Sequence, residues 1–504
     1  MSYFNRCSKN RAALLALAAS LTLVPALAAD PAQPSPAPWP RALGGPNREY
    51  ATGIAVDDQG NAYVAGHFQA ATTIGTIKLT SSGPSDAFVA KLDREGQFLW
   101  AVALGGSGVD EPRGIAVAPG GDVYLTGFFS NTADFDPGPG RSELASAGSA
   151  DAFLLRLNPK GELVWARRLG GKLGDVGFRI AAGADAVYLA GYFQGTMDLP
   201  VAPAPGKEAA PPARLESAGR NDAFVARFDP AGSLVWARRL GGAKDDEARG
   251  IALGRGGEVW IAGHFEEAAS LGAEASLSLK SAGNADVFVA RLDKEGRTLW
   301  AGRMGGNGTD ECEAAVGVRG GGLAITGRFT RSADFDPGPG STSLASSGPV
   351  DAFVVRLDAT GRLVWARQMG GGGSDVGFGL ATDKNGSVYA AGLYQQGRGD
   401  TNGEGTPIHV RATVGGLDPD NFSYVAEFTD SGDRLWALGL SASDGLQVLA
   451  IATGSSGVPY IAGVFKGETA PHEQTSASAV KSAGKNDAFV WKLTPAVLPK
   501  PGKR

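Results

Sequence analysis

The feature that most constrains this chain is a segment that recurs along almost its whole length. The clearest copy, DAFLLRLNPKGELVWARRLGG, runs from Asp151 to Gly171. Its tryptophan has counterparts at spacings of 61, 65, 71, 64, 65 and 71 residues. The seven tryptophans are Trp39, Trp100, Trp165, Trp236, Trp300, Trp365 and Trp436. Such a period favours one repeated architecture over the several unrelated domains that 504 residues would otherwise predict.

Each copy reads as four short β-strands separated by turns. In the second copy the runs are Arg113–Gly121, Asp122–Phe129, Asp151–Leu157 and Glu162–Leu169. All are rich in β-branched and aromatic residues and end at Gly, Pro or Asn, and the 75 glycines of the chain cluster at the boundaries between copies. The sequence therefore predicts an all-β fold, a single seven-bladed β-propeller with four-stranded antiparallel blades.

The two ends of the repeat region are complementary. Trp39–Gly45 carries the tryptophan strand without the DAFV strand that precedes it elsewhere, and Asp487–Leu493 is a DAFV strand with no tryptophan strand after it. An unpaired edge strand is a liability, so we expect Trp39–Leu43 to complete the last blade and close the ring. The propeller would then cover residues 39–494.

The segments outside the repeats predict export. Residues 1–28 have a basic start, an apolar run and an Ala-Leu-Ala cleavage site, which is typical of a signal peptide. A membrane anchor is the alternative, but the run is short and Pro25 interrupts it. Residues 29–38 form a Pro/Ala-rich linker and residues 495–504 a tail. We expect a secreted, periplasmic or cell-surface protein without a membrane span.

Charge and cysteine content exclude some classes of function. The net charge is −5 and no basic run is present, so a nucleic-acid partner is not expected. Removal of the signal peptide would leave Cys312 as the only cysteine, hence no internal disulfide, and we interpret it as a packing residue. The protein is expected to be a monomer.

Comparison among the seven copies separates packing positions from variable ones. The DAFV aromatic and the aromatic that ends the second strand are present in every copy, which predicts packing between blades. The position just before the second aromatic varies instead: His67, Phe128, Tyr192, His264, Arg328, Leu393 and Val464. Copies one to three also match copies four to six in detail, which indicates duplication of a three-copy block.

These repeats closely resemble the SBBP repeat, the seven-bladed β-propeller repeat of exported bacterial proteins. The resemblance covers Trp39 to Leu493 and rests on the DAFV strand, the tryptophan strand, the Gly-Gly pair and the GIAV and VYLTG runs. It implies a propeller that acts as an extracellular or cell-surface binding module, without a single known chemistry. The repeats of pyrroloquinoline-quinone dehydrogenases are a more distant likeness, and no adjacent cysteine pair supports that cofactor here.

Two acidic patterns are candidate sites. The loop DFDPGPG occurs twice and places two carboxylates on one face, which predicts either a calcium site or a self-capped turn, at Asp134, Asp136, Asp334 and Asp336. A second row begins the first strand of successive copies and should ring the mouth of the channel, either as a ligand site or as turn caps. Its members are Glu49, Asp110, Asp175, Asp246, Asp310 and Asp375, with Asp444 slightly out of register. A third row, which opens the DAFV strand, is interpreted as structural.

Catalytic motifs are missing from the sequence. The four histidines are scattered, and no nucleophile elbow, phosphate loop or metal-spaced cluster occurs. We therefore expect a non-catalytic binding or scaffold module without a cofactor, apart from the calcium candidates, with an unknown protein or glycan as partner. The alternatives are a polysaccharide-acting hydrolase or lyase that uses the channel-mouth acids, and a structural cell-surface component.

Overall fold

The structure, a computed structural model, describes residues 39–201, 212–272, 277–395, 421–469 and 479–493. All of them belong to one compact unit, Pro36–Arg504. The predicted signal peptide, linker and tail, together with His409 and His472, lie outside these described residues.

The described residues form β-strands joined by turns, with one 3-10 turn at Arg255–Gly257 and no α-helix. Accordingly, no helix in this part of the chain is long and apolar enough to cross a membrane. The strands are β1 Trp39–Leu43, β2 Glu49–Val56, β3 Ala62–Phe68, β4 Ala71–Ile74, β5 Ile77–Thr80, β6 Asp86–Leu92, β7 Phe98–Gly106, β8 Asp110–Val117, β9 Val123–Phe129, β10 Thr132–Asp134, β11 Glu143–Ala145, β12 Asp151–Leu157, β13 Leu163–Leu169, β14 Asp175–Ala182, β15 Val187–Leu199, β16 Ala213–Phe228, β17 Leu234–Gly242, β18 Asp246–Leu253, β19 Val259–Ser270, β20 Ser278–Leu292, β21 Thr298–Gly306, β22 Glu311–Gly317, β23 Leu323–Phe329, β24 Ser332–Asp334, β25 Ser343–Ala345, β26 Asp351–Leu357, β27 Leu363–Met369, β28 Val376–Thr382, β29 Val388–Gln395, β30 Asn421–Phe428, β31 Arg434–Leu440, β32 Leu446–Thr453, β33 Pro459–Phe465, β34 Glu468–Thr469, β35 Val480–Lys481 and β36 Asp487–Lys492.

The long strands pair antiparallel in sets of four, which we call units 1 to 7. Within a unit the first strand pairs with the second, the second with the third and the third with the fourth, so the predicted strand order is confirmed. Short ribbons such as β10–β11 fill the long loop between the second and third strands of some units. The units are β2-β3-β6-β7, β8-β9-β12-β13, β14-β15-β16-β17, β18-β19-β20-β21, β22-β23-β26-β27, β28-β29-β30-β31 and β32-β33-β36-β1.

Unit 7 combines the two ends of the repeat region. Strand β1 pairs with β36 from Trp39, opposite Lys492, to Leu43, opposite Ala488. Strand β36 in turn pairs with β33, and β33 with β32. The prediction that Trp39–Leu43 supplies the fourth strand of the last unit is therefore confirmed by its pairing.

Consecutive units contact each other through their first strands and through the tryptophan of the fourth strand. Trp165 donates its indole N–H to the Pro230 carbonyl of the next unit at 3.0 Å. The ring lies over Gly232, where a Cβ atom would come within 2.7 Å of it and where φ is +80°. Glycine is required at such a position because a side chain would meet both the ring and an unfavourable backbone conformation. Trp39 contacts Arg94 and Gly96 in the same way.

The hydrophobic core lies between the units and not inside one sheet. One cluster joins Tyr63 and Val89 of unit 1 to Phe129 and Phe153 of unit 2. All seven DAFV aromatics are at most 1% exposed, as are six of the seven that end the second strand; Tyr394 is the partly buried exception. The packing interpretation of both rows is confirmed, and burial of each phenylalanine contributes on the order of 2 kcal/mol.

Candidate functional site

The six acids predicted to ring a channel mouth are buried where neighbouring units meet. Each is at most 1% exposed, and each lies beside the acid that opens the third strand of the preceding unit. A Cβ atom on Gly105 would be 2.7 Å from Asp110 Oδ2 and 2.8 Å from Asp86 Cγ, which shows how closely one such pair is packed. The structure thus places the row in the buried contacts between units. The pairs are Asp86 with Asp110, Asp151 with Asp175, Asp222 with Asp246, Asp286 with Asp310, Asp351 with Asp375, and Asp487 with Glu49.

The aspartates of the predicted row cap the Gly-Gly turn before their own strand. Asp110 Oδ2 accepts the backbone N–H of Gly106 at 2.7 Å, and Asp175 Oδ2 accepts that of Gly171 at 2.8 Å. The same bond recurs in Asp246, Asp310 and Asp375. This geometry agrees with the turn-capping alternative of the sequence prediction.

Burial of these carboxyls strongly favours their protonated form. Desolvation is the main cause, and the charge of the neighbouring acid raises the pKa further, whereas hydrogen bonds from the capping N–H groups lower it. The net effect raises the pKa of Asp246 to about 8 and that of Asp310 to about 6. For Glu49, Asp110 and Asp175 the pKa is raised to about 7.

An arginine of the fourth strand partly compensates the charge in units 2, 3 and 4. Arg168 bonds Asp151 at 2.8 Å and Arg239 bonds Asp222 at 2.8 Å, while Arg303 pairs with Asp286. Gln368 takes this place in unit 5. Units 1 and 7 have Ala103 and Ala42 at the equivalent positions, so their acid pairs have no cation from this strand.

The contact between units 6 and 7 shows that the acid pair and the Gly-Gly turn depend on each other. There the two acids are replaced by Phe422 and Leu446, at 3% and 7% exposure. The Gly-Gly pair is replaced at the same contact by Ser441–Ala442. The carboxylates crowd the first glycine of each pair, whereas the second meets backbone, as at Gly106, where a Cβ atom would lie 2.0 Å from the Thr132 carbonyl oxygen. Asp444, the out-of-register acid, is exposed and pairs with Lys466 at 3.4 Å.

The two DFDPGPG loops use their carboxylates as caps. Asp134 Oδ1 accepts the backbone N–H groups of Asp136 and Ser142 at 3.0 and 2.8 Å. Asp136 Oδ1 accepts that of Gly138 at 2.8 Å. Asp334 and Asp336 repeat these bonds in unit 5. Among the described residues, no three His, Cys, Asp or Glu side chains are grouped so that they could hold a metal ion. Calcium binding at these loops stays a prediction.

A different row of residues converges on one cavity of about 680 Å³. In each first strand, one residue is left unpaired by a β-bulge, and its neighbours resume the ladder; Arg113, for example, falls between Pro112 and Gly114. A bulge bends the strand and redirects a side chain. The seven bulge residues, one per unit, all line this central cavity: Thr52, Arg113, Phe178, Arg249, Glu313, Phe378 and Leu449.

The central cavity combines guanidinium, carboxylate and aromatic groups. Arg249 lies over the Phe178 ring at 3.9 Å and pairs with Glu247 at 2.7 Å and Glu313 at 3.5 Å. One arginine, Arg249, is therefore shared by both glutamates. Arg179 also lines the cavity and reaches across it, donating to the backbone carbonyls of Arg113, Phe178 and Glu313 at 3.1, 3.2 and 3.0 Å.

The position just before the second-strand aromatic, which varies among the copies, contributes two residues to the lining of this cavity, Phe128 and Tyr192. His67 lies 3.8 Å from Glu111 and stacks on Tyr50, and burial lowers the pKa of its imidazole. The bulge row itself was missed by sequence reasoning. Its signal is nevertheless present, because the residue three places after each ring acid differs from unit to unit within an otherwise repeated strand.

Other candidate groups lie outside the central cavity. Cys312 is fully buried, and burial raises the pKa of its thiol, which agrees with a packing role. None of the six predicted ring acids lines the cavity, so the hydrolase or lyase alternative would have to use other carboxylates. A second cavity, of about 860 Å³, lies against the fourth strand of unit 3 near Trp236 and Arg214.

The comparisons with known proteins support a repeat of the predicted kind. Residues 39–67 match the family model SBBP, described as a beta-propeller repeat, and this confirms the resemblance for that stretch. An uncharacterized WD repeat-containing protein of Acanthamoeba polyphaga mimivirus is 21% identical over 85% of this chain and 36% of its own length. The regulatory protein FlaEY of Caulobacter vibrioides is 26% identical over 74% of this chain and 38% of its own. The chain thus spans little more than a third of these relatives.

Solved structures resemble the chain only distantly. A chain of a mitotic checkpoint complex has a TM-score of 0.41 at 10% identity, with coverage of 96% of this chain and 99% of that one. A europium-containing methanol dehydrogenase has a TM-score of 0.38 at 11% identity, with coverage of 90% and 93%. Similarity at this level supports no conclusion about function.

Proposed function

We propose that the chain is a closed, seven-bladed β-propeller, exported from the cell, that binds a protein or glycan ligand in the central cavity without chemical conversion. The observation that carries the proposal is the bulge row. Seven equivalent positions converge on one cavity, yet their side chains range from Thr and Leu to Phe, Arg and Glu. The position two residues further along the same strands is nearly uniform, with Ile in five of the seven units. The variation of the bulge row therefore favours a ligand surface that is not repetitive.

Closure of the ring is supported by the contacts between units 7 and 1. The first strands contact in the cyclic order β2, β8, β14, β18, β22, β28, β32 and back to β2. A short parallel bridge links the start of the third strand to the next unit at Ala150–Gly174, and Arg48–Asn486 forms the same bridge between units 7 and 1. Trp39 then bonds the Arg94 carbonyl at 3.1 Å. Four other fourth-strand tryptophans donate in the same way to a backbone carbonyl of the next unit: Trp100, Trp165, Trp236 and Trp365.

The proposal is tested by affinity capture with a cavity variant. The protein from residue 29 onward is immobilised, and a panel of oligosaccharides and an envelope extract are passed over it. We expect saturable retention of one ligand, recovered unchanged in mass, and its loss in Phe378→Ala. Val164→Ala is the matched control, because Val164 is 46% exposed on a fourth strand away from the cavity.

Two outcomes would contradict this function. Retention that Phe378→Ala leaves intact places the ligand elsewhere on the protein. If no ligand is retained, with or without calcium, the structural cell-surface alternative is favoured instead.

A further inference from the structure

Guanidinium groups outnumber carboxylates among the described residues that line the central cavity. Arg113, Arg179 and Arg249 line it, against two carboxylates, Glu247 and Glu313. Both carboxylates lie within ion-pair distance of Arg249. Arg113 pairs with a carboxylate outside the lining, that of Glu111, at 2.9 Å. This leaves Arg179 as the lining cation for which the described part of the chain supplies no ion pair.

The hydrogen bonds of Arg179 leave room for a ligand. A guanidinium has five N–H donors, and three bonds to backbone carbonyls are formed, two from Nη1 and one from Nη2. Burial lowers the pKa of Arg179, and the nearby guanidinium groups of Arg249 and Arg113 lower it further, whereas the Glu313 carboxylate raises it. A bound anion would relieve this cost, because a buried charge is stable only when it is paired.

Arg113 brings a second guanidinium to the cavity. Its side chain is 38% exposed, and its Nη2 pairs with Glu111. The Arg113 carbonyl is itself bonded by Arg179, so the two arginines adjoin. A carboxylate accepts two parallel N–H bonds from such groups, which suits a planar anion better than a neutral hydroxyl.

The remaining lining residues indicate what kind of molecule would carry this anion. Phe128, Tyr192 and Phe378 present rings, while Thr52 and Gln194 add neutral donors and acceptors. Flat apolar faces next to scattered polar groups fit a sugar ring, which has C–H faces and hydroxyl edges. A volume of about 680 Å³ lies within the range of small-ligand sites.

We infer that the central cavity binds an acidic saccharide, with a uronate carboxylate held by Arg179 and Arg113 and the sugar ring placed against Phe128, Tyr192 or Phe378. The inference rests on the proposed binding function and narrows it to one ligand class. Arg249, already shared by two glutamates, shapes the wall of the site and does not contact the anion.

The test compares each acid with its own uncharged form. Disaccharides of galacturonic, glucuronic, mannuronic and guluronic acid, and the methyl ester of each, are titrated calorimetrically into the protein from residue 29 onward at low salt. We expect at least one acid to bind on the order of tenfold or more tightly than its ester, since a hydrogen-bonded charge contributes about 1.5–3 kcal/mol. The difference should shrink as salt is added.

Variants then locate the carboxylate. Arg179→Met should abolish the preference for the acid over the ester, and Arg179→Lys should restore part of it. Arg141→Met is the control, because Arg141 is 79% exposed in a loop remote from the cavity lining. Should Arg179→Met not fold, Arg113→Gln is expected to reduce the acid preference as well, and the acid–ester comparison in the unmodified protein decides without any variant.

The outcomes separate this inference from the proposed function. If esters or neutral sugars bind as tightly as the acids, and Phe378→Ala weakens them, the binding function stands and the acidic ligand class is wrong. An acid preference that survives Arg179→Met overturns the assignment of the carboxylate. If no saccharide of the panel binds, the inference is overturned, and capture of a protein ligand at the cavity would still support the binding function.

Discussion

Replacement of Asp110 by Asn should remove part of the pH dependence of stability. Asp110 is fully buried, caps Gly106 and lies beside Asp86, where no arginine of the fourth strand compensates the charge. Asparagine keeps an oxygen that can accept the Gly106 N–H but cannot ionise. The variant therefore changes the charge of the site while its shape and its capping bond are preserved.

The size of the effect follows from the pKa of Asp110. Burial raises it from 3.8 to about 7 in the folded protein. Because the folded state keeps this proton where the unfolded state has lost it, the stabilisation is present below about pH 4 and is lost as the pH rises through 7. Between pH 5 and 7 the free energy of unfolding should fall by up to roughly 1.4 kcal/mol per pH unit for this group, with a smaller slope near pH 7, which gives about 2 kcal/mol in all.

The assay is denaturant unfolding of the unmodified protein and Asp110→Asn at half-unit steps from pH 5 to 8. We expect the stability of the variant relative to the unmodified protein to increase from pH 5 to 7 and to level off above pH 7. Asp444→Asn is the matched control, because the Asp444 side chain is 57% exposed and should leave the slope unchanged.

A result in the other direction would refute the reasoning. If Asp110→Asn is destabilising by the same amount at every pH, the carboxyl acts only as a hydrogen-bond acceptor and its ionisation is not coupled to folding. If stability of the unmodified protein rises from pH 5 to 8 and the variant removes that rise, the sign of the pKa shift is wrong.

Three further predictions concern packing and turns. Gly232→Ala should destabilise by about 2–3 kcal/mol more than Gly256→Ala in thermal unfolding, since both have positive φ but only the first methyl would meet a ring, that of Trp165; equal losses would exclude the steric cause. Tyr424→Phe should stabilise the protein by roughly 1 kcal/mol, because its hydroxyl is buried without a partner and the other six units have Phe; a loss of stability would reveal a bond to that hydroxyl. Asp134→Ala should lower stability by about 1–2 kcal/mol equally in calcium and in chelator, as expected for a cap with two backbone bonds; a loss confined to calcium would establish the metal site.

Much of the fold could be predicted because the chain repeats itself. One copy read alone would be ambiguous, but seven copies show which positions are always aromatic and therefore packed, such as Phe153 and Phe224. The repeat region begins with a tryptophan strand at Trp39 and ends with a DAFV strand at Asp487, and this complementarity identified the two as partners in unit 7. The location of the acids was harder to predict, because a carboxylate at a strand end gives the same sequence pattern whether it faces solvent or a buried turn.

The sequence by itself thus determined the strand order, the packing rows and the pairing of the two ends, since each of these depends on local pattern and on repetition. Only the tertiary structure decided where the charges lie. Burial of the acid pairs depends on how adjacent units pack around each Gly-Gly turn. The convergence of Thr52, Arg113 and five other bulge residues depends on seven strands meeting at one cavity, although these residues are about 60 to 70 positions apart in the chain. Contacts of that kind are set by the arrangement of units, and no window of sequence contains them.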